Sequence, residues 1–229
     1  MTEKILILGG TKEATRLAEK LVGRHGNNAV ITSLAGRTKE PKPVAGAVRI
    51  GGFGGVKGLC EFLRAQRISK VIDATHPFAE QISANAVQAC RETGTPLAVH
   101  ARAPWARKPG DMWIEVASLK EAREKIPVGA TVLLAIGSQH LSVFENLGHA
   151  TLIARTVDGP AAGLEGIVDD WITGRPSPDV DEEARMLTSY AITHIVCRNS
   201  GGDGAYAKIK AARALGMPVI MVQRPRSST

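Results

Sequence analysis

The sequence predicts an α/β protein built as two Rossmann-like domains with mostly parallel sheets and a cleft between them. Three observations lead there. Short β-branched apolar runs alternate with segments of helical period, the pattern of a parallel sheet with crossover helices. Several of these runs end in glycine, hydroxyl or charged residues immediately before a helix. The texture changes at Ala103-Pro104-Trp105 and the turn Lys108-Pro109-Gly110-Asp111, which divides the chain into an N-terminal nucleotide-binding domain over 1–103 and a C-terminal domain over 104–229.

In the first half, Lys4 to Leu8 reads as a strand, Gly9-Gly10-Thr11 as a turn, and Ala14, Leu17, Ala18, Leu21 and Val22 as the apolar face of a helix. Strands follow at Ala29 to Leu34 and Ala47 to Ile50, then a helix over Val56 to Gln66 and a strand ending at Ala74. A helix from Pro77, capped by Thr75 or His76, runs to Thr93 and stops at Gly94 before a strand at Pro96 to Ala101. The second half repeats the texture. Strands are expected at Trp113 to Val116, Thr131 to Ile136, Thr151 to Thr156, His194 to Cys197 and Pro218 to Val222. Helices are expected at Ser118 to Lys125, Gln139 to Asn146, Asp179 to Ala191 and Ala205 to Leu215.

Composition narrows the partners. The 229 residues carry 29 Lys+Arg against 22 Asp+Glu, a net charge of +7 that favours anions. The basic residues are scattered, aromatics are only 4%, and no nucleic-acid-binding signature is present, so a polyanionic small molecule is expected and nucleic acid is not. Cys60, Cys90 and Cys197 form no pair or metal motif and suit a reducing compartment. The chain enters a strand at once and has no membrane-length apolar run, so a cytoplasmic protein without membrane contact is expected, as a monomer or weak homo-oligomer. His140, His149 and His194 have no metal spacing, and no nucleophile elbow or Walker loop is present.

The candidate chemistry lies at strand ends. Val71-Ile72-Asp73-Ala74-Thr75-His76-Pro77 brings an acid, a hydroxyl and an imidazole to the carboxyl edge of a sheet, where open α/β folds bind ligands. Gly9, Gly10, Thr11 and Glu13 occupy the place of a dinucleotide fingerprint but depart from it, with Thr11 and Ala14 where glycines belong. The turn still offers helix amides to an anion. After the second strand there is no acid before Glu40, so Ser33, Arg37, Thr38 and Lys39 suit a 2′-phosphate, and NADPH is the expected dinucleotide. In the second half Gly137-Ser138 repeats the strand, glycine, hydroxyl order, and Arg198-Asn199-Ser200-Gly201-Gly202 leads through Tyr206 into a helix as an anion-binding nest. Arg102 and Trp105 stand at the junction of the halves, where a cation and an indole suit a ligand as well as packing.

Taken in order, Ile7-Leu8-Gly9-Gly10-Thr11-Lys12-Glu13, Asp73-Ala74-Thr75-His76-Pro77-Phe78-Ala79, Arg102-Ala103-Pro104-Trp105, Gly137-Ser138, Arg198 to Gly202 and Pro218 to Pro225 resemble the precorrin-6A reductases of cobalamin biosynthesis over essentially the whole chain. The resemblance implies NADPH-dependent reduction of precorrin-6A to precorrin-6B at the C18=C19 double bond. The strand-end residues expected to contact this cofactor are Gly9, Gly10, Thr11, Glu13, Ser33, Arg37, Thr38, Thr75, Gly137, Ser138, Asn199, Ser200, Gly201 and Gly202. Arg102, Trp105, Arg198 and Tyr206 would meet the carboxylate-rich tetrapyrrole, and His76 with Asp73 would serve proton transfer or substrate orientation. Arg198 departs from the family's more frequent lysine. Reduction of cobalt-precorrin-6A is the neighbouring alternative, and a non-catalytic nucleotide-sensing module the alternative of another class.

Overall fold

A computed structural model describes residues 3–36, 41–160, 163–164 and 166–224. Arg37 and Thr38 lie outside the described residues. The chain forms two compact units, Met1–Arg102 and Ala103–Thr229. Each is an α/β unit with an all-parallel sheet, as the alternating pattern predicts.

The first unit runs β1 (Ile5–Leu8), α1 (Lys12–His25), β2 (Val30–Leu34), β3 (Ala47–Ile50), α2 (Gly55–Ala65), β4 (Lys70–Asp73), α3 (Glu80–Thr93) and β5 (Leu97–Val99). Strand order is β3-β2-β1-β4-β5. Side chains alternate across a strand, so one sequence run feeds two cores. Ile5, Ile7, Val30 and Ile72 pack with Ala14 and Ala18 of α1, whereas Leu6, Leu8, Ile31 and Val71 pack with Leu59 and Leu63 of α2 and Ala86 and Ala89 of α3. Each fully buried Leu or Ile contributes roughly 1.5–3 kcal/mol, which explains why such short strands hold.

The second unit runs β6 (Trp113–Val116), α4 (Leu119–Glu124), β7 (Thr131–Ala135), β8 (Thr151–Thr156), β9 (Asp170–Thr173), α5 (Val180–Ser189), β10 (His194–Arg198), α6 (Ala207–Ala214) and β11 (Val219–Val222), in the order β6-β11-β10-β7-β8-β9. Trp113, Leu133, Ile195, Val219 and Met221 build one face of its core with Leu187 and Ile209. Ser118 caps α4 by accepting from the Glu121 amide at 3.1 Å, while Glu121 Oε2 accepts from the Ala117 amide at 2.8 Å.

Two expectations are corrected, and one strand was not anticipated. The helix expected from Pro77 begins at Glu80, because Thr75 is bonded to Asp73 and His76 Nδ1 accepts from the Phe78 amide at 3.3 Å, so neither caps it. The segment after Gly137 is a 3-10 helix, Ser138–Phe144, without a side-chain cap. The strand β9 had no expectation, since Asp-Trp-Ile-Thr is too short to show a period. Among the described residues no helix is long and apolar enough to cross a membrane.

Candidate active site

Strand order locates the candidate ligand edges. In the first sheet the chain moves outward from β1 through β2 to β3, then returns to place β4 on the other side of β1, so the topological switch point falls between β1 and β4. Open α/β sheets bind ligands at the carboxyl ends beside such a point. The turns that leave these two strands are Gly9-Gly10-Thr11 and Ala74-Thr75-His76, and the Thr11 hydroxyl ties them by donating to the Ala74 carbonyl at 2.8 Å.

Gly10 has φ 102°, where a side chain is strained, and a Cβ there would meet nothing within 4 Å. Gly9 is constrained by space instead, since a Cβ would stand 2.8 Å from Thr32 Cγ2. Thr11 Oγ1 accepts from the Ala14 amide at 3.1 Å. That cap leaves the earlier amides of α1 to bind an anion. The carboxylate of Glu13 in the same turn would oppose an anion, but Arg102 Nη1 lies 2.7 Å from its Oε2. Thr32 is fully buried and its hydroxyl has no partner among the described residues. Ser33 is buried beside it, and its carbonyl accepts from the Gly9 amide at 2.9 Å.

Asp73 is 6% exposed, and its Oδ1 accepts from the Thr75 amide at 3.0 Å and the Thr75 hydroxyl at 2.7 Å. Its carboxylate therefore orders Thr75, whereas positioning of His76 was expected. In neutral His76 the hydrogen bond accepted at Nδ1 puts the proton on Nε2. The imidazole is half-buried and its ring centre stands 5.8 Å from that of Phe78.

The second sheet has its switch point between β7 and β10. Here Arg198 Nη1 stands 3.0 Å from His140 Nε2. Guanidinium only donates, so Nε2 of His140 is the unprotonated nitrogen of that bond. Gly137 has φ 89° and leads into Ser138 at the head of the 3-10 helix. Asn199 is 2% exposed and its amide is turned inward: Oδ1 accepts from the Trp105 amide at 2.7 Å, and Nδ2 donates to the Trp105 carbonyl at 3.0 Å. Its side chain thus clamps Trp105. Ser200 and Gly201 follow as backbone, with Arg224 donating to the carbonyls of Asn199 at 2.9 Å and Ser200 at 2.8 Å. The Trp105 indole donates to the Gly202 carbonyl at 2.7 Å and its ring centre lies 5.6 Å from that of Tyr206.

Sequence reasoning did not find Lys208, His140 or Arg224 in this neighbourhood. The signals for His140 and Arg224 were adjacency to Ser138 and to the last strand; Lys208 reads locally as an ordinary helix lysine. The cysteines are buried thiols. Burial pushes Cys197 and Cys60 up, the latter with help from Glu92, and takes Cys90 from 9.0 to about 11, so none is a ready nucleophile.

The profile of the family described as precorrin-6x reductase CbiJ/CobK matches residues 4–229. The chain belongs to this family. Among relatives, the precorrin-6A reductase of Rhodobacter capsulatus is 46% identical over 223 residues, covering 97% of this chain and 88% of that protein. The cobalt-precorrin-6A reductase of Synechocystis is 28% identical, covering 97% and 89%. A solved CobK precorrin-6A reductase superimposes with a TM-score of 0.92 at 44% identity, covering 99% of this chain and 90% of its own. Membership in the family accords with the fold read from the sequence and with two glycine-bearing switch points in one reductase chain.

Proposed function

We propose that this chain is a cytoplasmic precorrin-6A reductase of cobalamin biosynthesis, reducing precorrin-6A to precorrin-6B with NADPH. The observation that carries the reading is the switch point of the first sheet, where the Gly9-Gly10-Thr11 turn has open space at Gly10, uncapped helix amides and an acid neutralised by Arg102. These features fit a dinucleotide pyrophosphate. The metal-free substrate is favoured because precorrin-6A reductases match at 40–46% identity while cobalt-precorrin-6A reductases match at 28–30%.

Bound NADPH supplies a hydride for the C18=C19 double bond of the macrocycle. The chain's own residues bind and orient. Gly9, Gly10 and Thr11 hold phosphate, Ser33 at the end of β2 meets a 2′-phosphate with Arg37 and Thr38 as the candidates that follow it in sequence, and Thr75 is held rigid by Asp73. Arg102, Arg198 and Tyr206 supply cations and an aromatic face for a carboxylate-rich tetrapyrrole, while Trp105, buried in the core of the second unit, supports the loop beneath Tyr206. Within the second unit, Gly137, Ser138 and the Ser200 to Gly202 backbone offer further donors to an anionic group. His76 holds a proton at Nε2 for the carbon next to the one receiving hydride.

The test is anaerobic NADPH oxidation with precorrin-6A, followed by nicotinamide absorbance and product mass, with NADH and cobalt-precorrin-6A in parallel. NADPH oxidation with a two-hydrogen mass gain on the metal-free ring is expected. Turnover only with the cobalt ring moves the substrate to the alternative, and tight nucleotide binding without any turnover overturns the reductase reading.

A further inference from the structure

Lys208 stands at the second position of α6, and its side chain is buried in the second unit at 4% exposure. Lysine is almost never fully buried without a carboxylate partner. Here Nζ donates to the Ala205 carbonyl at 3.0 Å and lies 5.2 Å from the centre of the Trp105 ring. The acid within electrostatic reach, Glu183, is already committed: both of its oxygens take Arg155 Nη1 at 2.8 Å, and Oε1 also takes the Ser177 amide at 2.8 Å. One carbonyl and one aromatic face leave two of the three ammonium protons without an acceptor among the described residues.

The surroundings oppose this charge. Desolvation is the largest influence and lowers the pKa of Lys208; Cys197 of β10 and Glu183 of α5 raise it, and Arg155 of β8 lowers it again. Burial holds Cys197 as a neutral thiol, so it does not compensate. The first turn of a helix is also the positive end of its dipole, where a cation is disfavoured. The Ala205 carbonyl, the Trp105 ring and the more distant Glu183 favour the ammonium, but desolvation outweighs them.

We propose that Lys208 is a positioning residue for an anionic group of the ligand, a carboxylate or a phosphate, docked over the loop from Arg198 to Tyr206. The ammonium fixes the Ala205 carbonyl of that loop and lies against the indole that donates to Gly202. Charge and loop backbone are thereby tied together. Arg198 stands at the head of the loop and the amide end of α6 at its foot; the loop's own carboxylate, Asp203, is exposed to solvent, which screens it, so an arriving anion relieves the buried ammonium, which has no carboxylate partner among the described residues. The inference rests on the reductase reading, in which substrate carboxylates and cofactor phosphates are the two sources of that anion.

The experiment compares wild type with Lys208→Met, which keeps length and removes charge. Replacing an unpaired buried charge by a fitted apolar side chain is expected to raise Tm by about 2–4 °C. The KM for precorrin-6A rises about tenfold if the anion is a carboxylate, or the Kd for NADPH if it is a phosphate, with a far smaller change in kcat. Wild-type affinity for that ligand weakens as pH rises through the lowered lysine pKa, and this alkaline limb disappears in the variant. A lower Tm in Lys208→Met, or both affinities within about twofold of wild type, overturns the proposal. Failure of the reductase reading looks different, because wild type itself then fails to turn over precorrin-6A. In that case inorganic pyrophosphate and citrate, titrated by tryptophan fluorescence, become the two arms and must show the same tenfold loss in the variant.

Discussion

Asn199 holds Trp105 by its backbone, accepting from the amide at 2.7 Å and donating to the carbonyl at 3.0 Å. Both bonds are buried, so Asn199→Ala leaves a donor and an acceptor unpaired at once. Each such group costs roughly 1–3 kcal/mol, so the variant is expected to lose roughly 2–4 kcal/mol in urea unfolding, with a red-shifted tryptophan emission. A loss below about 0.5 kcal/mol would show that the clamp is not what seats Trp105.

The glycine-rich turns differ in what they require of glycine. At Gly201 φ is 64° and a Cβ would stand 2.0 Å from the Ala103 carbonyl oxygen, so Gly201→Ala meets strain and a backbone clash together. At Gly10 only the φ of 102° matters. Gly10→Ala is therefore expected to fold with a loss of about 1–2 kcal/mol, while Gly201→Ala loses more than twice as much or fails to accumulate as soluble protein. Equal melting temperatures for the two variants would refute the distinction.

Buried thiols make stability fall at alkaline pH. Cys90 rises from 9.0 to about 11, through burial first and the nearby Cys60 second. A folded value above the unfolded one means that the unfolded chain releases the proton first, so stability present below pH 9.0 is lost as pH climbs toward 11. Between about pH 8 and 10.5, wild type should lose more urea stability than Cys90→Ala. Parallel losses in the two proteins would exclude this origin.

His76 accepts from the Phe78 amide through Nδ1, so any proton it gives in the neutral state leaves from Nε2. His76→Ala is expected to slow single-turnover oxidation of bound NADPH by about 10²–10⁴-fold while leaving NADPH affinity near wild type. Reduction at the wild-type rate would move the proton donor to water.

The two sheets were legible because runs such as Ile5 to Leu8 and Val71 to Asp73 are short, apolar and bounded by turn residues, and that pattern has few other folds to serve. The start of α3 was not. Thr75 and Pro77 look like helix-opening residues, but Asp73 captures Thr75 through two bonds that sequence spacing does not announce. Asn199 shows the same limit within the candidate site: a polar residue before glycines reads as a ligand contact, and only the long-range approach of Trp105 turns it inward. Lys208 sits in Ala-Lys-Ile-Lys, where nothing local separates the buried lysine from the exposed Lys210.

Arg102 has two separable ways to favour an anionic ligand. It can bind the ligand directly, or it can neutralise Glu13, whose carboxylate sits in the first turn of α1 at 2.7 Å from the guanidinium. A partly exposed pair of this kind contributes about 0–1 kcal/mol to stability, so the variants remain folded and binding can be read cleanly. Arg102→Ala should weaken NADPH binding by about fivefold through the exposed Glu13 charge, and Arg102→Ala with Glu13→Gln should recover most of that loss. The KM for precorrin-6A behaves differently if Arg102 grips a substrate carboxylate: it rises in Arg102→Ala and stays high in the double variant. Recovery of both constants would confine Arg102 to the nucleotide turn, and recovery of neither would mean that Glu13 does not oppose the bound anion.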